Sequence, residues 1–477
     1  MYSRVCAVLC LNLAVDVLCV QRQRPSACEF SDDLSVATCR DKFLNGIASG
    51  KEEFPDGLVY LDFSGNSMKE LNDYTLPEWN IHDVKYLNMS RNNIMTVTEL
   101  AFFGLYLLEN VDLSRNRINS FHRDAFLFLP KLLHLNLSEN FLTYIEEGTF
   151  SENKALETLL LANNNIVAFN NFVFNVENSL NLLDVSGNEL TEFGSILSVE
   201  LLKLKELRLS RNELQTIPGR SFAKCRHVSY LLLSENNISI IESEAFYGLE
   251  NLEHLDLSRN DIARVRAFAF ELKENTSVLS TEQDSVASNL KFLNLSHNKI
   301  NSFNFEEIIP IDSYGDITTK FSNLQTVDLS SNSLETLDET SVSWLRTSSV
   351  YVNFSGNKWK CLCDTLYDIY RELKNIVTLQ CEFPDNLNGY NWTVLEDVLQ
   401  CHIPANEPEQ VSYSEYNDDE ERYSTPSEQD KISPDPFYLP NVLISGIHVV
   451  TILVAIIVVL LITHKYIAGK PEEDEFW

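Results

Sequence analysis

Residues 132–166 read LLHLNLSENFLTYIEEGTFSENKALETLLLANNNI. Leu132, Leu135, Leu137, Asn140 and Leu142 are matched 24 residues later by Leu156, Leu159, Leu161, Asn164 and Ile166. Followed outward in both directions, the pattern L-x-x-L-x-L-x-x-N-x-L begins at Leu58, Val84, Leu108, Leu132, Leu156, Leu180, Leu204, Val228, Leu252, Leu290 and Leu324, with a degenerate twelfth copy from Ser349. Its asparagines are Asn66, Asn92, Asn116, Asn140, Asn164, Asn188, Asn212, Asn236, Asn260, Asn298, Asn332 and Asn357. A fixed period of this length is the signature of a stacked repeat. Within each copy the alternation seen in Leu135-Asn136-Leu137 predicts a short strand with one buried and one wet face, and successive strands are expected to stack in parallel. An Asn at the turn carries both donor and acceptor, so a column of them is expected to satisfy backbone groups that stacking would bury.

A second column supports the same geometry. Phe102, Phe126, Phe150, Phe174, Phe222, Phe246 and Phe270 recur at 24 residues, or at 48 where Ser198 interrupts, and an aromatic stripe in repeat register is a core spine. On these motifs about 300 residues resemble the extracellular leucine-rich repeat family, in its 24-residue subtype. The resemblance implies an α/β-type solenoid, a curved leucine-rich repeat horseshoe with a parallel concave β-sheet, here followed by a single transmembrane helix.

A solenoid needs covered ends. Cys28 and Cys39 precede the first copy, and Cys361, Cys363, Cys381 and Cys401 follow the last. The later set resembles the family's cysteine-rich cap, with Lys358 where the family has Pro; the resemblance implies pairing of Cys361 with Cys381 and of Cys363 with Cys401. Zinc binding by Cys361-x-Cys363 is the competing chemistry, which a secreted chain disfavours. Cys225 is left over and falls where other copies carry Leu105, Leu129 and Leu249, so a buried apolar thiol is expected, with an intermolecular disulfide as the rival.

The ends of the chain set its expected compartment. Met1 to Cys19 has Arg4, an apolar run and small or medium residues before a cleavage position, as a signal peptide does. Val442 to Ile462 has no Lys, Arg, Asp or Glu over a length that spans a bilayer core. Lys465 and Lys470 follow it, which predicts a single-pass type I protein of the plasma membrane with an extracellular ectodomain. The expected organisation is a signal peptide at 1–19, an N-terminal cap at 20–57, repeats at 58–357, a C-terminal cysteine-rich cap at 358–403, an acidic disordered stalk at 404–441, the membrane helix at 442–462 and a cytoplasmic tail at 463–477. In the stalk, Tyr413, Tyr416 and Tyr423 sit among acidic residues, a setting that resembles tyrosine-sulfation sites. The last residues, Asp474-Glu475-Phe476-Trp477, resemble a weak ligand for a PDZ-type cytoplasmic partner.

Charge and motifs narrow the function. With 37 basic and 69 acidic side chains the net charge is −32, which repels phosphate backbones and excludes nucleic acid as a partner. No Walker loop, zincin helix or nucleophile elbow is present. No enzyme activity, no cofactor and no metal are therefore expected.

Residues between the buried strand positions are expected to project from the concave face, free to vary. Sequons begin at Asn88, Asn136, Asn294 and Asn353 in that column and at Asn237, Asn275 and Asn391 outside it. Glycans on the first four would crowd both ends of the face and leave the fifth to ninth repeats bare. The predicted ligand-binding patch there is Thr158, Leu160, Leu182, Asp184, Glu206, Arg208, Tyr230, Leu232, His254 and Asp256, apolar at its centre and ringed by charge. Insertions of Glu274 to Asn289 and Ile308 to Thr319 are expected to be loops, able to touch ligand from an edge. The reading is a cell-surface recognition protein, an adhesion molecule or receptor binding an extracellular protein ligand or an opposing cell-surface protein. The alternative is a non-catalytic scaffold, matrix organiser or accessory subunit acting by lateral assembly in the membrane.

Overall fold

In each copy of the repeat a three-residue strand holds one apolar side chain inward between two outward ones, as in His134–Asn136, where Leu135 is buried. The computed structural model describes residues 23–401 except 48–51, 74, 194–196, 198–199, 266–268, 270–288 and 306–322. Fourteen strands form one sheet in chain order, and every neighbouring pair is parallel except the first, Glu29–Phe30 with Val36–Thr38. The twelve repeat strands run from Tyr60–Asp62 to Tyr351–Asn353 in unbroken register. The first pair is contributed by the N-terminal cap, so the cap extends the sheet as well as covering its end.

The Asn column forms the ladder that the spacing predicts. Asn140 Nδ2 donates to Leu113 O and Leu137 O, both at 3.0 Å, while its Oδ1 accepts from Ile118 N at 3.0 Å. All twelve Asn are buried. Each thereby ties its own turn to the copy before it, which is how backbone groups in a stacked core remain paired. The residue before each Asn lies in the left-handed region, with φ between 54° and 68°, and only Gly65, Gly187 and Gly356 among them are glycine. At Gly187 a Cβ would lie 2.5 Å from Asn163 Oδ1, so a side chain there requires the Asn163 amide to move.

Behind the sheet the Phe column stacks. Phe102, Phe126, Phe150 and Phe174 lie 5.8–5.9 Å apart in nearly parallel pairs, and Phe222 stacks on Phe246 at 6.1 Å. Across the interruption Phe193 packs edge-on against Phe222 at 5.3 Å. Phe270 and Ser198 lie outside the described residues.

Three disulfides close the caps: Cys28–Cys39, Cys361–Cys381 and Cys363–Cys401. The C-terminal cap buries Trp359, Trp392 and one face of the helix Cys363–Leu373. Tyr370 Oη donates to Glu396 Oε2 at 2.8 Å; burial first and that bond second push its phenol up to about 12. Cys225 is a free, fully buried thiol, and burial pushes it up to about 12. The structure thus bears out the buried thiol expected there.

The chain divides into two units, Met1–Ala405 and Asn406–Trp477, and the second lies wholly outside the described residues. The signal peptide, stalk tyrosines, membrane segment 442–462, tail and Asn275 fall outside them too. Of the two insertions, Asn289 is described, and its Nδ2 donates to Glu250 O at 3.0 Å. No helix among the described residues is long and apolar enough to cross a membrane.

Candidate functional site: the open face of the sheet

The strand register brings all ten predicted patch residues onto five consecutive hydrogen-bonded strands. Thr158, Leu182, Glu206, Tyr230 and His254 pair across the sheet in one column, and Leu160, Asp184, Arg208, Leu232 and Asp256 pair in the next. Both columns point away from the core because Leu159, Leu183, Leu207, Leu231 and Leu255, between them, are buried.

The second column is not free to vary, which corrects the expectation from sequence. Asp62, Asn88, Asp112, Asn136, Asp184, Asp256, Asn294, Asp328 and Asn353 each accept a hydrogen bond at Oδ1 from the backbone N–H two residues on, at 2.8–3.2 Å. These are Asx turns, which fix the chain direction as the strand ends. They also occupy the last position of each strand, not its centre. The column departs from this role at Leu160, Arg208 and Leu232, all three inside the predicted patch. The turn also accounts for the sheet sequons: the residue two on is Ser in eleven copies and Ala162 in the other, so an Asn acceptor spells N-x-S wherever it replaces Asp. Those four Asn are half-buried, whereas Asn237 and Asn391 are exposed.

Arg208 carries no spare charge. Its Nε donates to Glu206 Oε1 at 2.7 Å and its Nη1 to Asp184 Oδ2 at 3.2 Å. Burial works against the guanidinium, and the bonds to Glu206 and then Asp184 outweigh it and hold its pKa above the ordinary value. The patch therefore presents a neutralised fork beside the apolar Leu160 and Leu232.

Beyond the fork the first column becomes aromatic. Tyr230 stacks on His254 at 4.4 Å and 10°, and His254 on Phe292 at 4.4 Å and 16°. Burial holds His254 below the ordinary imidazole value, with Glu253 opposing the shift and Lys291 adding to it. Phe292 was not among the predicted residues; its place in the column was readable, but the neighbouring sequon at Asn294 set that repeat outside the bare zone. At the other end a shallow cavity of about 300 Å³ is lined by Tyr60, Tyr86, Asn110, Asp112 and His134 among others, and of the patch only Thr158 and Leu160 reach it.

A further exposed group lies off the sheet face. Phe141, Tyr144 and Val167 are solvent-exposed on the flank where Tyr144–Ile145 pairs with Ala168–Phe169. They lie after the strand and its turn, outside the positions from which the open-face columns are read in sequence. Among the described residues no cluster of His, Cys, Asp and Glu is arranged to hold a metal ion.

Comparison with known proteins agrees with this geometry. A family model described as leucine rich repeat matches residues 107–166 and 202–262, and a second leucine rich repeat model matches 289–310. No curated protein matches the chain. Among solved structures, a chain from an octameric complex of Latrophilin 3, Unc5D and FLRT2 (LRR) is similar at 20% identity, covering 76% of this chain and 95% of that one, with a TM-score of 0.50. A leucine-rich repeat protein of Leptospira interrogans is similar at 22% identity over 72% of this chain and 89% of its own, TM-score 0.45. An internalin of Listeria monocytogenes follows at 17% identity over 68% and 82%, TM-score 0.48. Residues 107–166, 202–262 and 289–310 are thus matched as leucine-rich repeats, and the described repeats fold as a parallel-strand solenoid.

Proposed function

We propose that this chain is a cell-surface recognition protein, held by a single membrane helix at 442–462, that binds an extracellular protein ligand through the open face of its sheet. The observation that carries the proposal is the departure of Leu160, Arg208 and Leu232 from the Asx column. Where nine copies keep a turn-forming Asp or Asn, these three strands give up that bond and present apolar carbon and a neutralised fork beside Tyr230. A local feature that the fold does not require, on an exposed face, is what a binding centre looks like. The similar chain from the Latrophilin 3, Unc5D and FLRT2 complex comes from an assembly of proteins, which is consistent with a protein ligand here.

The test uses the full chain displayed on cells, with and without Tyr230→Ala and Leu232→Asp together. Asp at 232 regains the turn acceptor used in neighbouring copies, so folding and surface display are expected to be retained while saturable binding to partner-bearing cells is lost. Unchanged binding by the displayed variant would remove the sheet face from the proposal.

A second reading, lateral assembly as a non-catalytic scaffold, is favoured by the exposed flank of Phe141, Tyr144 and Val167. In that case Phe141→Ser with Tyr144→Ser abolishes co-purification with membrane partners and leaves cell binding intact. A PDZ-type contact of the tail would belong to the same reading, and deleting residues 463–477 separates it from adhesion by the ectodomain.

A further inference from the structure

The aromatic column has a missing rung. Tyr230, His254 and Phe292 occupy successive strands and stack at 4.4 Å. The next strand places Thr326 in the same column, paired with Phe292, and the one after places Tyr351, paired with Thr326. Phe292 is 37% exposed and Tyr351 66% exposed, and Tyr351 stacks on no ring among the described residues. Strands lie about 4.8 Å apart, so Phe292 and Tyr351 are about two ladder steps from one another, which leaves room above a short Thr for one planar group within the roughly 6 Å reach of cation–π attraction to each ring.

The polar group beside this gap is a carboxylate. Asp328 follows Thr326 by two residues and points to the same face. Its Oδ1 accepts from Ser330 N at 2.8 Å and its Oδ2 from Asn353 Nδ2 at 3.2 Å, which leaves lone pairs free on both oxygens. No basic residue shares the two columns on these three strands, since Phe292, Asn294, Thr326, Asp328, Tyr351 and Asn353 fill them. The nearby Lys291 is paired with Glu253 at 2.8 Å.

We propose that the gap between Phe292 and Tyr351 over Thr326 is a binding slot for an arginine side chain of a protein partner, its guanidinium stacked between the rings and hydrogen-bonded to Asp328. A guanidinium is planar, weakly hydrated and stacks on aromatic faces, whereas an ammonium is a compact hydrated charge that gains less from a flat slot. The net charge of −32 selects for a basic partner surface and disfavours a second copy of this chain. The slot rests on the reading of the open face as the protein-binding surface, and it moves the centre of that surface from the fifth to ninth repeats toward the eleventh.

The sequons at Asn294 and Asn353 flank the slot, so the experiment is done in a Ser296→Ala, Ser355→Ala background. Ala162 stands at the same position in another copy, and both Asn acceptors are kept. The probes are hexa-arginine, hexa-lysine and hexa-citrulline peptides, titrated against the full chain at physiological salt. Hexa-arginine is expected to bind about fivefold or more tightly than hexa-lysine, and hexa-citrulline not measurably. Thr326→Phe, which fills the rung and completes the ladder, is expected to raise thermal stability and to abolish the preference for arginine. Asp328→Asn with Ser330→Ala keeps the turn acceptor, creates no sequon and is expected to weaken hexa-arginine about tenfold. Equal binding of the arginine and lysine peptides, or an arginine preference that survives Thr326→Phe in a folded protein, would overturn the slot. Loss of the slot leaves the cell-binding result with Tyr230→Ala and Leu232→Asp untouched, so the two ideas fail separately.

Discussion

Asn136 and Asn140 are four residues apart and have different tasks. Asn140 is buried and joins four backbone groups from two copies; Asn136 is half-buried and holds a single turn. Replacing Asn140 by Ala leaves Ile118 N buried without its acceptor, whereas Leu113 O and Leu137 O keep Asn116 Nδ2 and Asn164 Nδ2 as donors, and a buried unpaired group costs about 1–3 kcal/mol. A loss of about 1–3 kcal/mol is expected in chemical denaturation, against a few tenths for Asn136→Asp, which keeps its acceptor. The ladder Asn were legible because seven consecutive intervals of 24 residues fix their place in the frame, which the longer intervals then extend. The Asx column was not, because sequence shows that a side chain faces out without showing which backbone N–H it meets. That gap in the reading turned a structural column into a variable one, and it hid the meaning of Leu160, Arg208 and Leu232.

At the scale of the element, the strand register was read correctly and the ladder it supports was only half seen. The predicted patch includes Tyr230 and His254 and stops short of Phe292 because the sequon at Asn294 places that repeat outside the bare zone, 38 residues instead of 24 separating the ladder asparagines Asn260 and Asn298. The register absorbs the insertion: His254 pairs directly with Phe292. The stack also sets a pH dependence. Burial lowers the pKa of His254 from its ordinary 6.5, with Glu253 opposing the shift and Lys291 adding to it. The folded protein then binds fewer protons than the unfolded chain below pH 6.5, so the contribution of the stack is full above 6.5 and is lost as pH falls through the lowered value. Thermal melts between pH 7 and 5 are expected to show a loss of stability that His254→Phe, which keeps the stack without the proton, reduces.

The whole molecule adds a long-range term. A protein with a net charge of −32 attracts a basic partner over roughly a Debye length, and salt shortens that reach from about 10 Å at 0.1 M to about 3 Å at 1 M. The association rate with such a partner, measured by stopped flow or surface binding, is expected to fall about tenfold or more between low and high salt while the dissociation rate changes little. A salt-independent rate would mean that the partner is neutral at the contact. Net charge was legible from composition alone; the placement of carboxylates along one column came from the register.

The Asx turns have one more consequence. Asp62, Asp112, Asp184, Asp256 and Asp328 each precede a Ser by two residues, so a single Asp→Asn exchange at any of them preserves the turn and writes a new attachment point for sugar. The repeat is one substitution away from a glycan at almost every rung. A secreted or surface-displayed protein of this design can shift its sugar shield along the sheet, rung by rung, without redesigning its fold, and the same five exchanges give the experimenter a ruler for locating where a partner sits.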